Sequence, residues 1–394
     1  MVDAPADSEA LRPLRLGMVG GGRGAFIGAV HRLCARLDGQ FELVAGALSS
    51  DAQRARESGA DLGLAPDRAY TSFAQLAAAE ATRSDGIEVV SIVTPNDSHH
   101  AIARAFLDRG IDVICDKPMT TTVEDALDLV QAVRRSGLVF GLTHNYSGYP
   151  LVRQAREMVA AGELGAIRVV QVEYVQDWLT TKLEDTGHKQ AGWRVDPQRA
   201  GAGGCLGDIG THAYHLADFV TGRRARELAA DLSRFVPGRK LDDNVHILLR
   251  YEGGARGMLW GSQVAPGNEN GLRLRVYGET AGLEWSQEHP NQLRFALVGR
   301  PPQTLSRGGP CLGPAAAHAT RIPSGHPEGY LEGFANLYRD LAEQIRARRA
   351  KRAPDSGALL VPTVADGARG VKFIAAAVES HAKNGAWVDA QVNL

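Results

Sequence analysis

A chain of 394 residues is too long for one ordinary core, so two domains are the natural expectation. Its 44 basic and 45 acidic side chains leave a formal net charge of -1, with 44% hydrophobic and 23% charged residues. That balance suits a water-soluble globular protein and offers no attraction to nucleic acid or an anionic membrane, and no run of about 18 apolar residues offers a spanning helix.

Residues 1–13 are polar, carry Asp3, Asp7 and Glu9, and lack the apolar stretch of a secretory signal; they read as a lead-in. The run 14–19 is a buried-strand pattern ending in Gly20-Gly21-Gly22, followed by a helix over 25–37 and a second apolar run over 41–48. Residues 87–93 and 111–115 are strand-like, each with a helical stretch after it, and 138–143 close the series beyond Ser136-Gly137. Strands alternating with helices predict a parallel sheet covered on both faces, an α/β domain over 1–145. Strands buried on both sides read as continuous apolar runs, as Val89-Val90-Ser91-Ile92-Val93 nearly does.

The rhythm then changes. A helix over 149–161 leads to a strand over 167–175, a polar Trp-containing stretch to Gly204, and a helix over 209–220. Alternating strands with turns such as Glu252-Gly253-Gly254 and Tyr277-Gly278-Glu279 predict an antiparallel sheet over 226–297. Gly- and Pro-rich 299–327 reads as a long loop, and helices over 328–348 and 364–382 carry apolar faces that pack across the domains. Residues 146–394 thus form a second α/β domain, with the last helices packing back on the first. Cys34, Cys115, Cys205 and Cys311 are scattered, which suits reduced thiols in a cytoplasm rather than disulfides or a metal pair.

Gly20-x-Gly22-x-x-Ala25 stands after the first strand and opens a helix. A dinucleotide fold needs small residues there, because the backbone turns tightly and presents amides to a pyrophosphate. A second register gives the final close-packing role to Gly28. Arg23 and Phe26, in the same loop, are placed with the cofactor. The second strand ends Leu48-Ser49-Ser50-Asp51, then Arg54. Ser49, Ser50 and Arg54 tolerate a 2′-phosphate and lean the choice to NADP, whereas Asp51 turned inward would favour NAD.

Three further stretches complete a pattern. Thr94-Pro95-Asn96-Asp97-Ser98-His99 follows one strand, Cys115-Asp116-Lys117-Pro118 follows the next, and Gly203-Gly204-Cys205-Leu206-Gly207-Asp208-Ile209-Gly210-Thr211-His212 opens a helix. In order and spacing they resemble the Gfo/Idh/MocA family, named for glucose–fructose oxidoreductase and inositol dehydrogenase. The resemblance implies a Rossmann domain followed by an α/β domain whose large, mostly antiparallel open sheet makes the interface of a homodimer or homotetramer. It implies that Lys117, Asp208 and His212 carry the reaction, that 93–96 with His99 line the nicotinamide side, and that Trp193-Arg194 lies near cofactor and substrate. Asp116 stands where the family commonly has Glu, and the glycine loop is longer than usual.

The chemistry asks for such a set. His212, with an unperturbed pKa of about 6.5, suits proton transfer with a secondary alcohol. Lys117 can set an ammonium against the developing alkoxide. Asp208 lies four residues before His212, so on a helix both share a face, where the carboxylate can bind a neighbouring hydroxyl. Asn145, Tyr146, Asp177, Trp178 and Trp193 offer the hydrogen bonds and apolar platform a polyol needs, with 263–270 and the loop 326–330 as further candidates, and His144 as a structural residue. No metal is expected, since Asp208, His212 and His215 lack an HExxH or Cys-pair spacing. The sequence thus predicts hydride transfer between NAD or NADP and a ring carbon of an unphosphorylated sugar, glycoside or inositol. A cofactor-retaining sugar oxidoreductase or epimerase-like enzyme, and a dinucleotide- or sugar-sensing regulator, are the alternatives.

Overall fold

The structure is a computed structural model that describes residues 12–394, so the reading of 1–11 as a lead-in lies outside the described residues. The first unit is built from strand β1 (Leu14–Gly20), helix α1 (Phe26–Leu37), β2 (Phe41–Ala47), α2 (Ala52–Asp61), α3 (Phe73–Glu80), β3 (Val89–Val93), α4 (His99–Leu107), β4 (Asp112–Cys115), α5 (Val123–Ser136) and β5 (Phe140–Leu142). The strands form one parallel sheet in the order β2-β1-β3-β4-β5. Every residue of β3 is buried, as helices on both faces require. The chain passes to opposite sides of β1 to make β2 and β3, so the crevice outside the carboxyl ends of β1 and β3 is the place where such sheets bind ligands.

Local signals set the helix ends. Thr122 Oγ1 accepts from Asp125 N at 3.1 Å to start α5, Glu124 and Asp125 sit in its first turn and Arg134 and Arg135 in its last, and Gly137 ends it at φ 64°. Helices α2 and α3 fall in a stretch where the sequence reading placed no element. α2 is charged and buries only Ala55, Ser58 and Gly59, too little for an apolar stripe.

Beyond α6 (Pro150–Ala160) comes β6 (Ile167–Val175), matching the predicted strand. The short helices α7 (Lys189–Arg194) and α8 (Pro197–Ala200) interrupt the polar stretch before α9 (Thr211–Thr221). Then follow β7 (Ala225–Ser233), β8 (Asn244–Tyr251), β9 (Arg256–Ser262), β10 (Gly271–Gly278), β11 (Ala281–Ser286), β12 (Gln292–Leu297) and β13 (Gln303–Ser306). Helices α10 (Pro314–Ala319), α11 (Tyr330–Arg349) and α12 (Val364–Ala382) precede a last short strand, β14 (Val388–Asp389). Among the described residues the second sheet has nine strands in the order β13-β12-β11-β10-β6-β9-β8-β7-β14, antiparallel except for the β6–β9 pair.

The expectation of an unbroken loop over 299–327 is corrected here. β13 extends the sheet edge against β12, and α10, opened by Pro314 at its first turn, buries Ala316 and Ala319. Both are too short to leave a periodic signature. α11 returns to the first sheet: Phe334, Tyr338 and Leu341 share one core with Leu14, Leu16 and Val30. Phe373 and Ile374 of α12 join the second core, and Val364, Ala368 and Val371 of the same helix join the first. Among the described residues, no helix is long and apolar enough to cross a membrane.

Candidate active site

A cleft of about 1580 Å³ runs from the glycine loop across the carboxyl edge of the parallel sheet to α7 and α9. It exceeds the range of about 300–1,000 Å³ usual for one small ligand and suits an extended dinucleotide with a second molecule beside it. Gly20 and Gly21 turn the chain at φ 83° and 74°. A Cβ on Gly22 would lie 2.6 Å from the Leu48 carbonyl, and one on Gly28 would lie 2.3 Å from Gly21 Cα. Close packing of helix on loop therefore falls to Gly28, the second register, while Ala25 and Phe26 border the cleft. No side chain caps α1, so its first amides remain available. This cradle fits a pyrophosphate. Gly28→Ala should push α1 off the loop, costing about 1–3 kcal/mol of stability and weakening dinucleotide binding, as thermal melts and titration with NADH will read.

The predicted cofactor residues separate into two groups. Gly20, Gly22, Ala25, Phe26, Ser49, Ser50, Arg54, Thr94, Pro95, Asn96, Asp116, Lys117, Trp193 and Arg194 line the cleft. Two do not. Arg23 turns outward to Glu57 and Asp61. His99 is fully buried, its ring nitrogens 2.9 Å from the Pro118 carbonyl and 2.8 Å from the Thr94 carbonyl, so it ties the two strand ends together from behind. Asp51 is also outside the cleft lining, and its carboxylate caps α2 by accepting from Arg54 N at 2.7 Å.

Lys117 stands at the end of β4 before a cis peptide to Pro118. Its Nζ donates to the Asp208 carbonyl at 2.6 Å and to Asp208 Oδ1 at 3.0 Å. Gln263 Nε2 donates to Oδ2 at 2.9 Å, and Arg194 Nε lies 3.3 Å from that oxygen without making a hydrogen bond. Burial pushes the Asp208 carboxyl up, but the charges of Lys117 and Arg194 outweigh it and hold the group below the usual carboxylate range. Asp208 lies in a π-turn, Leu206–Gly210, that opens into α9. This wide turn replaces the regular helix expected from the four-residue spacing.

The turn is anchored by Asp242, which sequence reasoning missed. Its carboxylate accepts from Gly204 N and Leu206 N, each at 2.7 Å, and a Cβ on Gly204 would lie 2.4 Å from its carbonyl. Gly204 thus lets this backbone close on Asp242.

His212 is buried, and burial first, then Lys117, lowers its pKa well below the usual value against the opposing pull of Asp208. Its Nδ1 is 3.4 Å from His144 Nδ1, and the His144 ring stacks on His215 at 4.3 Å. A hydrogen on His212 Nδ1 aimed at His144 leaves Nε2 as the free acceptor. On the remaining side, Tyr146 OH is 2.5 Å from Tyr174 OH, which donates to Asn270 Oδ1 at 2.7 Å. Asn145 Nδ2 is buried with no partner, a donor left for a ligand. Asp177 does not join them: its carboxylate accepts from Gly267 N at 3.1 Å, outside the cleft lining. From the loop 326–330 only Tyr330 reaches the cleft, while Glu328 is buried against Arg307 at 2.9 Å.

Residues 14–144 match the model described as "Oxidoreductase family, NAD-binding Rossmann fold", and residues 152–284 match that of the GFO/IDH/MocA C-terminal domain. An uncharacterized oxidoreductase of Bacillus subtilis is 37% identical over 384 residues, covering 96% of this chain and 97% of its own. The chain belongs to the Gfo/Idh/MocA oxidoreductase family. Among solved Gfo/Idh/MocA relatives, an inositol dehydrogenase homolog from Azotobacter vinelandii in complex with NADH and myo-inositol superposes with a TM-score of 0.89 at 41% identity, covering 96% and 98% of the two chains. Levoglucosan dehydrogenase of Pseudarthrobacter phenanthrenivorans is 28% identical, over 77% of this chain and 80% of its own. As a family member the chain is an oxidoreductase with a NAD-binding Rossmann domain, and no three His, Cys, Asp or Glu residues gather as metal ligands among the described residues. Sequence reasoning missed Tyr174 and Gln176 in this cleft. The alternation of β6 held the signal for the first, since Val170, Val172 and Tyr174 are buried on one face.

Proposed function

We propose that this oxidoreductase moves a hydride between a nicotinamide dinucleotide and a ring carbon of an unphosphorylated cyclitol, sugar or glycoside. The observation that carries the reading is the grip of Lys117 Nζ on Asp208 at 3.0 Å beside a buried His212 whose depressed pKa keeps it neutral. In the oxidising direction His212 Nε2 takes the hydroxyl proton, Lys117 stabilises the oxygen as it gains charge, and the C–H hydrogen leaves with its electron pair. Asp208 holds Lys117 in place and accepts from a neighbouring hydroxyl. The dinucleotide, when bound, supplies the hydride acceptor or donor. Tyr146, Tyr174, Asn145 and Trp193 serve the ring itself, with one unpartnered amide donor and aromatic faces for its C–H side.

Either NAD or NADP serves in this reading: the relative of 41% identity is a complex with NADH, while a scyllo-inositol dehydrogenase relative is named for NADP. Ser49, Ser50 and Arg54 border the same cleft, where they can meet a 2′-phosphate, and support NADP. Arg54→Ala should therefore raise KM for NADP by about tenfold and leave that for NAD within a factor of about two. Equal effects on both would remove Arg54 from the 2′-position.

The reading includes a cytoplasmic location, in keeping with four unpaired cysteines, and a homodimer or homotetramer. The uncovered sheet face supports such an assembly, with Leu248 and Met258 51% and 46% exposed. The test of function is reduction of NAD and NADP, followed by absorbance, across inositols, aldoses and glycosides. Turnover with a ring polyol supports the reading. Silence in both directions, from a protein that binds dinucleotide, would overturn it in favour of a sensor.

A further inference from the structure

Helix α7 belongs to the second domain, yet its first residue reaches the first. Lys189 Nζ donates to the Arg23 carbonyl in the glycine loop at 3.4 Å, and a Cβ on Gly24 would lie 3.9 Å from the same nitrogen. Among the described residues this ammonium has no carboxylate partner, and a single carbonyl leaves two of its three hydrogens free. The loop's own cation is engaged elsewhere, since the Arg23 guanidinium is turned outward to Glu57 and Asp61. An anion resting on the glycine loop would therefore meet the Lys189 ammonium from across the cleft, while Arg32 is held on the Gly21 carbonyl at 2.7 Å.

We propose that Lys189 is a cofactor-binding residue whose ammonium closes on the pyrophosphate of the dinucleotide from the second domain. The proposal rests on the reading that this cleft takes a nicotinamide dinucleotide. It gives α7 two working ends. His188 Nδ1 accepts from Ala191 N at 3.2 Å and starts the helix, Lys189 faces the phosphates, and one and a half turns on Arg194 stacks 4.4 Å above the Trp193 ring and stands beside Asp208. A dinucleotide held by Lys189 thus fixes the same helix that sets a charge against the reacting centre. Binding of the cofactor and placement of Arg194 become one event.

Calorimetric titration of NADH and of ADP-ribose into wild type, Lys189→Ala, Lys189→Arg and Lys182→Ala tests this. Lys182, paired with Asp185 away from the cleft, controls for loss of one positive charge. Lys189 is exposed, so its substitution leaves the fold intact. Lys189→Ala should weaken both ligands by about tenfold and flatten the salt dependence of binding, while Lys189→Arg and Lys182→Ala stay near wild type. Binding by Lys189→Ala within about twofold of wild type would overturn the proposal, as would a loss for NADH without one for ADP-ribose. A wild-type protein that binds neither ligand would overturn the functional reading and this proposal together.

Discussion

Lys117→Ala should lower kcat by about a thousandfold while leaving the affinity for NADH nearly unchanged. The ammonium is fixed by two hydrogen bonds to Asp208, at 2.6 and 3.0 Å, so it meets the reacting oxygen without reorganisation. Its loss removes the charge that stabilises the alkoxide in oxidation and polarises the carbonyl in reduction. It also removes one of two cations that keep the Asp208 carboxyl ionised against burial. Single-turnover kinetics with the bound dinucleotide separate the chemical step from binding. A variant that keeps about a tenth of kcat would remove Lys117 from the reaction.

His212→Gln should lower kcat by about a hundred- to ten-thousandfold and reshape the pH profile. The sign follows from burial: the folded protein disfavours imidazolium, so the pKa lies well below the usual histidine value. The neutral base is then fully present at and above the ordinary histidine pKa and is lost only as pH falls through the depressed value. Alcohol oxidation by wild type should hold its kcat/KM through about pH 6.5 and fall only in more acidic solution, whereas ketone reduction, which needs the protonated ring, should gain as pH falls. His212→Gln should lose this acid limb altogether. An unchanged limb would assign it to another group.

Much of this was legible because the chemistry sits where sheet geometry puts it. Gly20 ends β1, Thr94 and Lys117 follow the ends of β3 and β4, and the parallel sheet brings those ends together. Asp208 and His212 were legible as a motif, but the π-turn between them was not, because it depends on Asp242, more than thirty residues away. Arg23, His99 and Asp177 show the opposite limit. Each stands at the expected place in the chain, yet Arg23 finds carboxylates on α2, His99 finds two carbonyls behind the cleft, and Asp177 finds an amide of a neighbouring turn. Such choices are made by tertiary neighbours, which spacing along one chain does not encode. Lys189 was hidden for the same reason, an ordinary lysine in a polar stretch until the domains meet.

The most direct measurement follows the hydrogen itself. A ring polyol found active in the substrate panel, deuterated at its carbinol carbons, is oxidised with NAD, and the reduced dinucleotide is weighed by mass spectrometry. The NADH formed should carry one deuterium per turnover, and the chemical step should slow on deuteration. NADH without deuterium, or label released to water, would contradict direct hydride transfer at this site.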